Sequence, residues 1–576
     1  MQNTPTSSHT VSSSEAKIDT CNTIGTWLGT EAPEHITLRA ALMQVHKPVF
    51  LCRAPHAKYQ VHTSGRAILG DSETPPTEDG ISAQDLVAYA APLPLHSCGD
   101  AAFLAAHKLR YPVIAGSMAK GISSVAMVKA MGAAGMLGFL GSAGLDVNTV
   151  EAHLRQLQRD LDPGEYAYGC NLIHSPNEPE LEQELVEMYL RIGLKLIEAS
   201  AFLQITAPLV EYRLHGIHRD TSGSIVTPNK VIAKVSREEI ATLFLSPPPE
   251  KIVARLLEQG KISAEQAALA KQVPMAEDIT AEADSGGHTD NRPAMALFPT
   301  IVALRDTLQQ QFHYPEPPRI GLGGGIATPY AAAGAFAMGA AYIVTGSVNQ
   351  ACVEAGTCDA VKQMLAEAQQ ADIAMAPAAD MFEMGVDVQV LKRGTMFSMR
   401  AGSLYEIYRN YSSIEDIPHA ERSRLEKTIF KTSLDEAWRN TRAFFARRDP
   451  REIERADRDP KHKMALVFRS YLGQATHWAI DGDPQRRIDY QIWCGPALPA
   501  FNAWTKGTFL QQPQQRKVVD VNLNLLLGAA TWLRANMLGP ARACYERVHP
   551  DETLILRPLT REQIDTYLQT QDQAQD

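Results

Sequence analysis

RIGLGGGIATPYAAAGAFAMGAAYIVTGS, residues 319–347, carries the pattern that decides the fold. An apolar run, RIGLGGG (319–325), stops at glycines. A helix-like, alanine-rich segment follows, and a second apolar run, AAYIVTG (340–346), again stops at a small residue. Strand, turn, helix and strand is the repeat of a parallel α/β fold, because parallel neighbours need a crossover between them.

Upstream, the same rhythm begins near residue 109. Strand candidates are YPVIAG (111–116), GMLGFLG (135–141), YAYGCNLI (166–173), GLKLIEAS (193–200), NKVIAKVS (229–236) and DITAEADS (278–285). Helix-like segments such as EPELEQELVEMYLRIG (178–193) and RPAMALFPTIVALRDTLQQQ (292–311) lie between them. About eight such units over about 240 residues match the dimensions of a closed barrel. An open doubly wound sheet would carry G-x-G-x-x-G after its first strand, and none follows Gly116. The expected fold is therefore an α/β (β/α)₈ TIM barrel over residues 109–369.

Around that barrel the rhythm is absent. Residues 1–20 are polar and Ser/Thr-rich and read as a disordered tail. Residues 21–108, with the β-like run HKPVFLCRAP, read as a lead-in subdomain. Arg-containing, aromatic segments such as MFSMRAGSLYEIYRNY (396–411) and RKVVDVNLNLLLGAATWLRANML (516–538) predict a helical lobe over 370–540, followed by a C-terminal extension, 541–576.

Composition narrows the function. With 55 Lys+Arg against 65 Asp+Glu, the net charge of −10 argues against a general nucleic-acid binder. The longest apolar stretch, near 122–145, is broken by Lys129 and glycines, so no membrane span is expected. No basic region precedes an apolar one at the N-terminus, which predicts no signal peptide. The 8 cysteines are scattered, without C-x-x-C spacing or a His/Cys cluster, so neither metal nor structural disulfide is expected and a cytoplasmic location follows. Cys170 and Cys352, in apolar barrel segments, read as small buried thiols.

Chemistry in a TIM barrel sits in the loops after the strand C-termini. GLGGGIATP (321–329) and TGSVNQA (345–351) follow strands seven and eight; their glycines let backbone N–H groups approach a phosphate. ADSGGHTDN (283–291), after strand six, places His288 at the mouth, where imidazole can donate a proton or a hydrogen bond at neutral pH. A satisfied loop histidine is the competing reading. Asn171, after strand three, is either an amide for a ligand edge or an ordinary turn residue.

GCNLIHSPNEP (169–179), EADSGGHTDNRPAMALFPTIVALRD (282–306) and GLGGGIATPYAAAGAFAMGAAYIVTGS (321–347) together resemble the nitronate monooxygenase-like flavin barrels. The usual E-A-G-G-H-x-G motif is altered: Asp284, Ser285 and Asp290 stand where Glu, Ala and the last Gly are usual. YPVIAGSMAKGISS (111–124), TAPLVEYRLHG (206–216), PAADMFEMGVDVQVLKRGTMF (377–397) and DYQIWCGPALPAFN (489–502) resemble one branch, the PfaD-type trans-acting enoyl reductases of polyunsaturated fatty acid synthases and trans-acyltransferase polyketide synthases.

The resemblance implies FMN as cofactor, NADPH or NADH as co-substrate, an enoyl chain on an acyl carrier protein as substrate, and a homodimer. It implies that Ala115, Gly116, Ser117 and Met118 line the isoalloxazine ring, with Asn171 on its polar edge. Lys234, at the end of strand five, would face the reduced flavin or form a structural ion pair. Gly286, Gly287, Gly324, Gly325, Gly346 and Ser347 would cradle the ribityl phosphate, and His288 would be the catalytic donor. A nitronate-type flavin oxidase needs only a small pocket, which the long 370–540 segment disfavours. A non-catalytic carrier-binding scaffold would have no use for the phosphate-loop glycines and His288. For an acidic carrier, FFARRDPREIERADRDPKHK (444–463) offers a basic stripe of Arg447, Arg451 and Arg455, or of Arg451, Arg455 and Arg458 if Pro450 starts the helix.

Overall fold

A computed structural model of the chain describes residues 21–30, 36–54, 58–70, 81–161, 167–174 and 178–568, so the expected tail at 1–20 lies outside the described residues. Two compact units form. One takes the chain up to Leu93 with Thr531–Ile555 and the end from Tyr567; the other takes Pro94–Ala530 with Leu556–Thr566.

The larger unit is a closed, all-parallel eight-stranded barrel: Val113–Ala115, Leu137–Leu140, Gly169–Ile173, Leu196–Ser200, Lys230–Val235, Asp278–Glu282, Arg319–Gly323 and Ile343–Thr345. Ile343 pairs with Val113 and Val344 with Ile114, which joins the eighth strand to the first. Each strand falls inside its expected segment, because short runs of apolar residues bounded by small ones are buried on both faces. Ile114, Leu137, Phe139, Leu196, Ile232 and Val344 fill one core cluster.

The end opposite the mouth is closed by helix Ala101–His107, whose N-terminus is capped by Asp100 accepting from Phe103 N at 2.8 Å. Phe103 stacks on Tyr342 with centroids 4.2 Å apart. His107 Nε2 lies 2.8 Å from Asp278 Oδ2, and Arg319 donates to both oxygens of Asp278 at 2.7 and 3.0 Å. Burial alone would raise the Asp278 carboxyl; His107 and Arg319 outweigh it and hold it at about 2. These contacts move the expected boundary: the lead-in ends at Leu93, not 108, because the 101–107 helix packs into the barrel.

The expected helical lobe opens on strands instead. Ile373–Pro377 and Asp387–Leu391 form a hairpin, and the two-residue strand Gly287–His288 joins it to make a three-stranded antiparallel sheet. The alternation of Val386, Val388 and Val390 has period two, which suits a strand and not a helix. Helices follow at Phe397–Asn410, His419–Leu425, Leu434–Arg448, Pro450–Arg458 and Pro460–Asp481. Their core joins Phe382, Phe397, Phe430, Phe468 and Tyr471. The described part of the expected C-terminal extension, 541–568, divides between the two units instead of forming one piece. No helix of the described residues is long and apolar enough to cross a membrane.

The smaller unit is a five-stranded antiparallel sheet, ordered Lys58–His62, Val49–Ala54, Ser82–Ala90, Gly25–Gly29, Arg66–Leu69. Trp27, Phe50, Cys52 and Leu86 form its core, and Trp27 stacks on His62 at 3.8 Å.

Candidate active site

The loop after the sixth barrel strand runs directly into the lobe sheet. Gly287 pairs with Gln389 and His288 with Val388. Gly287 has φ +82°, a left-handed conformation that favours glycine. Gly286 meets the chain at 494–495 backbone to backbone: an added Cβ would lie 2.8 Å from Gly495 N. Two of the residues that depart from the flavin-barrel motif, Asp284 and Asp290, anchor this loop. Asp284 Oδ1 accepts from Gln389 Nε2 at 3.1 Å, and Asp290 accepts from Arg237 Nε and Nη2 at 2.8 and 2.7 Å and from Ser236 Oγ at 2.5 Å. Arg237 holds the Asp290 carboxyl at about 2.

His288 extends from this short strand. Its Nε2 lies 3.0 Å from Asp380 Oδ1, and both side chains remain partly open, 43% and 53% exposed. Burial disfavours the imidazolium, but the hydrogen bond and charge of Asp380, with Glu282 beyond, outweigh it and raise the His288 pKa.

The loop after the first strand is stapled tightly. Ser123 Oγ donates to Gly116 O at 3.0 Å and stands 2.9 Å from Met118 N, which donates to it. Ala115 is buried. Gly116 packs against Val344, where an added Cβ would lie 2.8 Å from a methyl. Ser117 donates through N, at 3.0 Å, and through Oγ to Glu198 Oε2. Glu198 is fully buried and its Oε1 has no partner. Lys234 Nζ lies 3.2 Å from Glu282 Oε1 and 3.9 Å from Glu198 Oε2. Burial works against its charge, and the two carboxylates more than restore it, so Lys234 stays protonated. Lys234 thus forms an ion pair with Glu282 at the end of strand five. Asn171 has both amide hydrogens committed, to Glu198 O at 3.0 Å and Ser200 Oγ at 2.9 Å, tying strand three to strand four.

The last two loops lie side by side, since Gly323 pairs with Val344. Gly324, at φ +85°, passes so close to Ala283 that a Cβ would lie 2.5 Å from its carbonyl carbon. Gly325, at φ +77°, and Gly346 are different: an added Cβ meets nothing within 4 Å. Ser347 Oγ accepts from Gly495 N at 3.5 Å. Open space at Gly325 and Gly346, and a buried Ser285 Oγ beside Gly286 with no hydrogen-bond partner among the described residues, are compatible with a polar ligand such as a phosphate.

Apart from Asn171, which lies within the third strand, the residues expected at the site fall at the ends of neighbouring strands five to eight and one, but with separate duties. Gly286 and Gly324 serve close backbone crossings, whereas Gly325 and Gly346 leave room. Glu198, Glu282, Asp380 and Lys120 do not stand out from sequence. A charged residue inside the apolar run LIEAS is the signal that could have found Glu198. Lys120, at φ +55° beside Gly121, donates to Gly473 O at 3.1 Å, and burial lowers its pKa to about 8.

Pro450 starts a helix, Pro450–Arg458, so Arg447 lies on the preceding helix and Arg451, Arg455 and Arg458 are the set that shares one helix. Helices end and restart at Pro450 and Pro460. Arg448 binds Glu178 through two bonds of 2.5 and 2.9 Å, and Arg451 binds Glu180 at 3.1 and 3.3 Å and Asp449 at 2.9 Å. These arginines join the lobe to the third barrel helix, Pro179–Ile192.

Comparison with known proteins agrees with this architecture. A family model described as the inserted helical domain of acyl-carrier-protein S-malonyltransferase matches residues 411–490, within the lobe. A polyunsaturated fatty acid synthase component of Thraustochytrium sp. is 47% identical over 454 residues, 78% of this chain and 30% of that protein. Polyketide biosynthesis protein PksE of Bacillus subtilis is 41% identical over 461 residues, 80% of this chain and 59% of that one. The chain therefore spans less than two thirds of either curated relative. The solved enoyl reductase domain of MlnA, from the macrolactin biosynthesis cluster of Bacillus amyloliquefaciens, is 39% identical with a TM-score of 0.74, covering 77% of this chain and 99% of the domain. With that domain matched from end to end, the chain belongs to the PfaD-type enoyl reductase family of polyunsaturated fatty acid and polyketide synthase systems.

Proposed function

We propose that the protein is an FMN-dependent, NAD(P)H-consuming enoyl reductase. It acts in trans on the 2,3-double bond of an enoyl thioester carried by an acyl carrier protein, in polyunsaturated fatty acid or polyketide synthesis. The observation that carries this reading is the pair of open glycines, Gly325 and Gly346, on adjacent strand ends, in a chain 39% identical to a solved enoyl reductase domain. When bound, FMN supplies hydride transfer, from the nicotinamide to the enoyl β-carbon.

The chain's own residues do the rest. Backbone N–H groups at Gly325 and Gly346 hold the phosphate, where no side chain intervenes. Lys234, kept protonated by Glu282 and Glu198, supplies fixed positive charge at the ends of strands four to six. Gly116, Ser117 and Met118 present backbone and small side chains to a flat ring. His288 donates a proton to the α-carbon or a hydrogen bond to the thioester carbonyl as negative charge develops there. The lobe at 411–490, matched by a helical domain of a carrier-protein transferase, is the surface offered to the carrier. The homodimer and cytoplasmic location belong to the same proposal.

The test is incubation with NADPH and a crotonyl-loaded carrier protein, followed by mass spectrometry of the pantetheine arm. A gain of two hydrogens, dependent on FMN, is expected. An unchanged crotonyl arm on a flavin-loaded enzyme contradicts the assignment.

A further inference from the structure

His288 reaches the mouth with one ring nitrogen already engaged: Nε2 is 3.0 Å from Asp380 Oδ1. The two residues are 92 apart in sequence, yet the lobe sheet brings them together, His288 on a strand and Asp380 in a connection. Gly287–His288 pairs with Asp387–Leu391, which pairs with Ile373–Pro377, and Asp380 stands in the connection of that hairpin. Ring and carboxylate therefore share one rigid frame. Arg469 fastens the connection by donating from Nε to Ala379 O at 2.9 Å.

We propose that Asp380 is the positioning residue for proton transfer by His288: it accepts from Nε2, stabilises the imidazolium, and leaves Nδ1 to face the enoyl thioester. The inference rests on the proposed enoyl reduction. In that step the Nδ1–H bond breaks and a C–H bond forms at the α-carbon. The electron pair comes from the double bond as hydride reaches the β-carbon, and the neutral imidazole regains its proton from water. A histidine whose second nitrogen is held by a carboxylate is fixed in tautomer and orientation and favours its charged form.

The charged surroundings agree in sign. Asp380 and Glu282 face His288 and raise its pKa against the effect of burial. Burial would raise the Asp380 carboxyl, but His288 and Arg469 lower it, so it remains an anion. Lys120 faces Asp380 from the barrel side, with Arg448 and His477 beyond.

The test is the pH dependence of re-oxidation of the NADPH-reduced enzyme by crotonyl-N-acetylcysteamine, in stopped flow, for wild type, Asp380→Asn and Asp380→Glu. The wild-type rate should fall as pH rises through the raised imidazole pKa. In Asp380→Asn burial is left unopposed by its strongest partner, so the falling limb should move to lower pH, with at least a tenfold loss at neutral pH and unchanged FMN content. Asp380→Glu should return the limb toward its wild-type position. A limb unmoved in Asp380→Asn overturns the inference, whether or not the rate falls uniformly. Titration of the ¹³C-labelled His288 ring signal in the wild-type enzyme, assigned with His288→Ala, needs no folded Asp380 variant. A midpoint at or below that of a free histidine also overturns the inference. If the reduced wild-type enzyme is not re-oxidised by the thioester, the proposed function fails instead.

Discussion

Gly286 and Gly495 cross backbone to backbone: a Cβ on Gly286 would lie 2.8 Å from Gly495 N, and one on Gly495 would lie 2.6 Å from Gly286 N. The crossing brings the end of the sixth-strand loop under the segment Trp493–Cys494, whose Trp493 bridges to Val390 of the lobe sheet. Either glycine replaced by alanine must push two main chains apart. Gly495→Ala should cost about 1–3 kcal/mol, the usual range for overpacking, read as a lowered urea midpoint. An unchanged midpoint would show that the crossing is loose.

The phosphate loops should behave in the opposite way. Gly346→Asp adds a carboxylate where a Cβ meets nothing, so the fold should survive while the charge repels a phosphate. The purified variant should be folded by circular dichroism and colourless. Gly325→Asp should act likewise, with an added cost of about 1–2 kcal/mol for a side chain at positive φ. Stoichiometric FMN in Gly346→Asp means that the phosphate lies elsewhere.

In the proposed assignment the open glycines, and not the imidazole, hold the phosphate, so His288→Ala should retain FMN. Loss of one aligned donor should slow the oxidative half-reaction by ~10²–10³-fold and leave reduction by NADPH near the wild-type rate. Equal slowing of both half-reactions would indicate damage to the flavin site and not loss of a donor.

Acid should unfold the barrel unit through its buried carboxylates. Asp278 is held at about 2, below the ordinary value of about 3.9. A carboxyl with a lowered folded pKa stabilises fully above its unfolded pKa, and that stabilisation is lost as pH falls through the folded one. Stability should therefore fall from about pH 4 to about pH 2. Asp278→Asn should be less stable at neutral pH, because His107 and Arg319 lose their partner, and should show a shallower acid slope. An identical slope in the variant would exclude Asp278 as a source of acid sensitivity.

How much of the fold and site is legible in the sequence depends on the range of the pattern. All eight barrel strands are, since each is a local apolar run with a small residue at its end. The hairpin at 373–391 is legible only in the period-two valines of its second strand, since the first strand, Ile373–Pro377, carries no such alternation. Its role is also non-local: Gly287–His288 joins it from almost ninety residues upstream. Glycines can be located but not sorted; only the approach of Cys494–Gly495 and Ala283 separates Gly286 and Gly324 from the open Gly325 and Gly346. Asn171 reads from sequence as following strand three but lies in the middle of strand Gly169–Ile173, and its partners Glu198 O and Ser200 Oγ are on the next strand. The helix start at Pro450 is legible, but the pairing of Arg451 with Glu180, some 270 residues away, is not.

That last contact changes what mutation of the stripe should do. Arg451→Glu should loosen the link to Glu180, and the swap Arg451→Glu with Glu180→Arg should restore it. Turnover of carrier-bound and N-acetylcysteamine substrates should change in parallel. A selective rise in KM for the carrier-bound substrate, persisting in the swap, would put the carrier contact on this helix and not elsewhere in the 411–490 lobe.

A barrel-bound flavin that passes reducing equivalents from NADPH to an enoyl thioester is tested most directly under anaerobic conditions. The yellow enzyme is bleached with stoichiometric NADPH, crotonyl thioester is added, and the flavin spectrum is followed. Full bleaching is predicted, followed by recovery of the oxidised spectrum with one butyryl thioester formed per FMN. A reduced enzyme that stays bleached with thioester and recovers its colour only on admitting oxygen would contradict it.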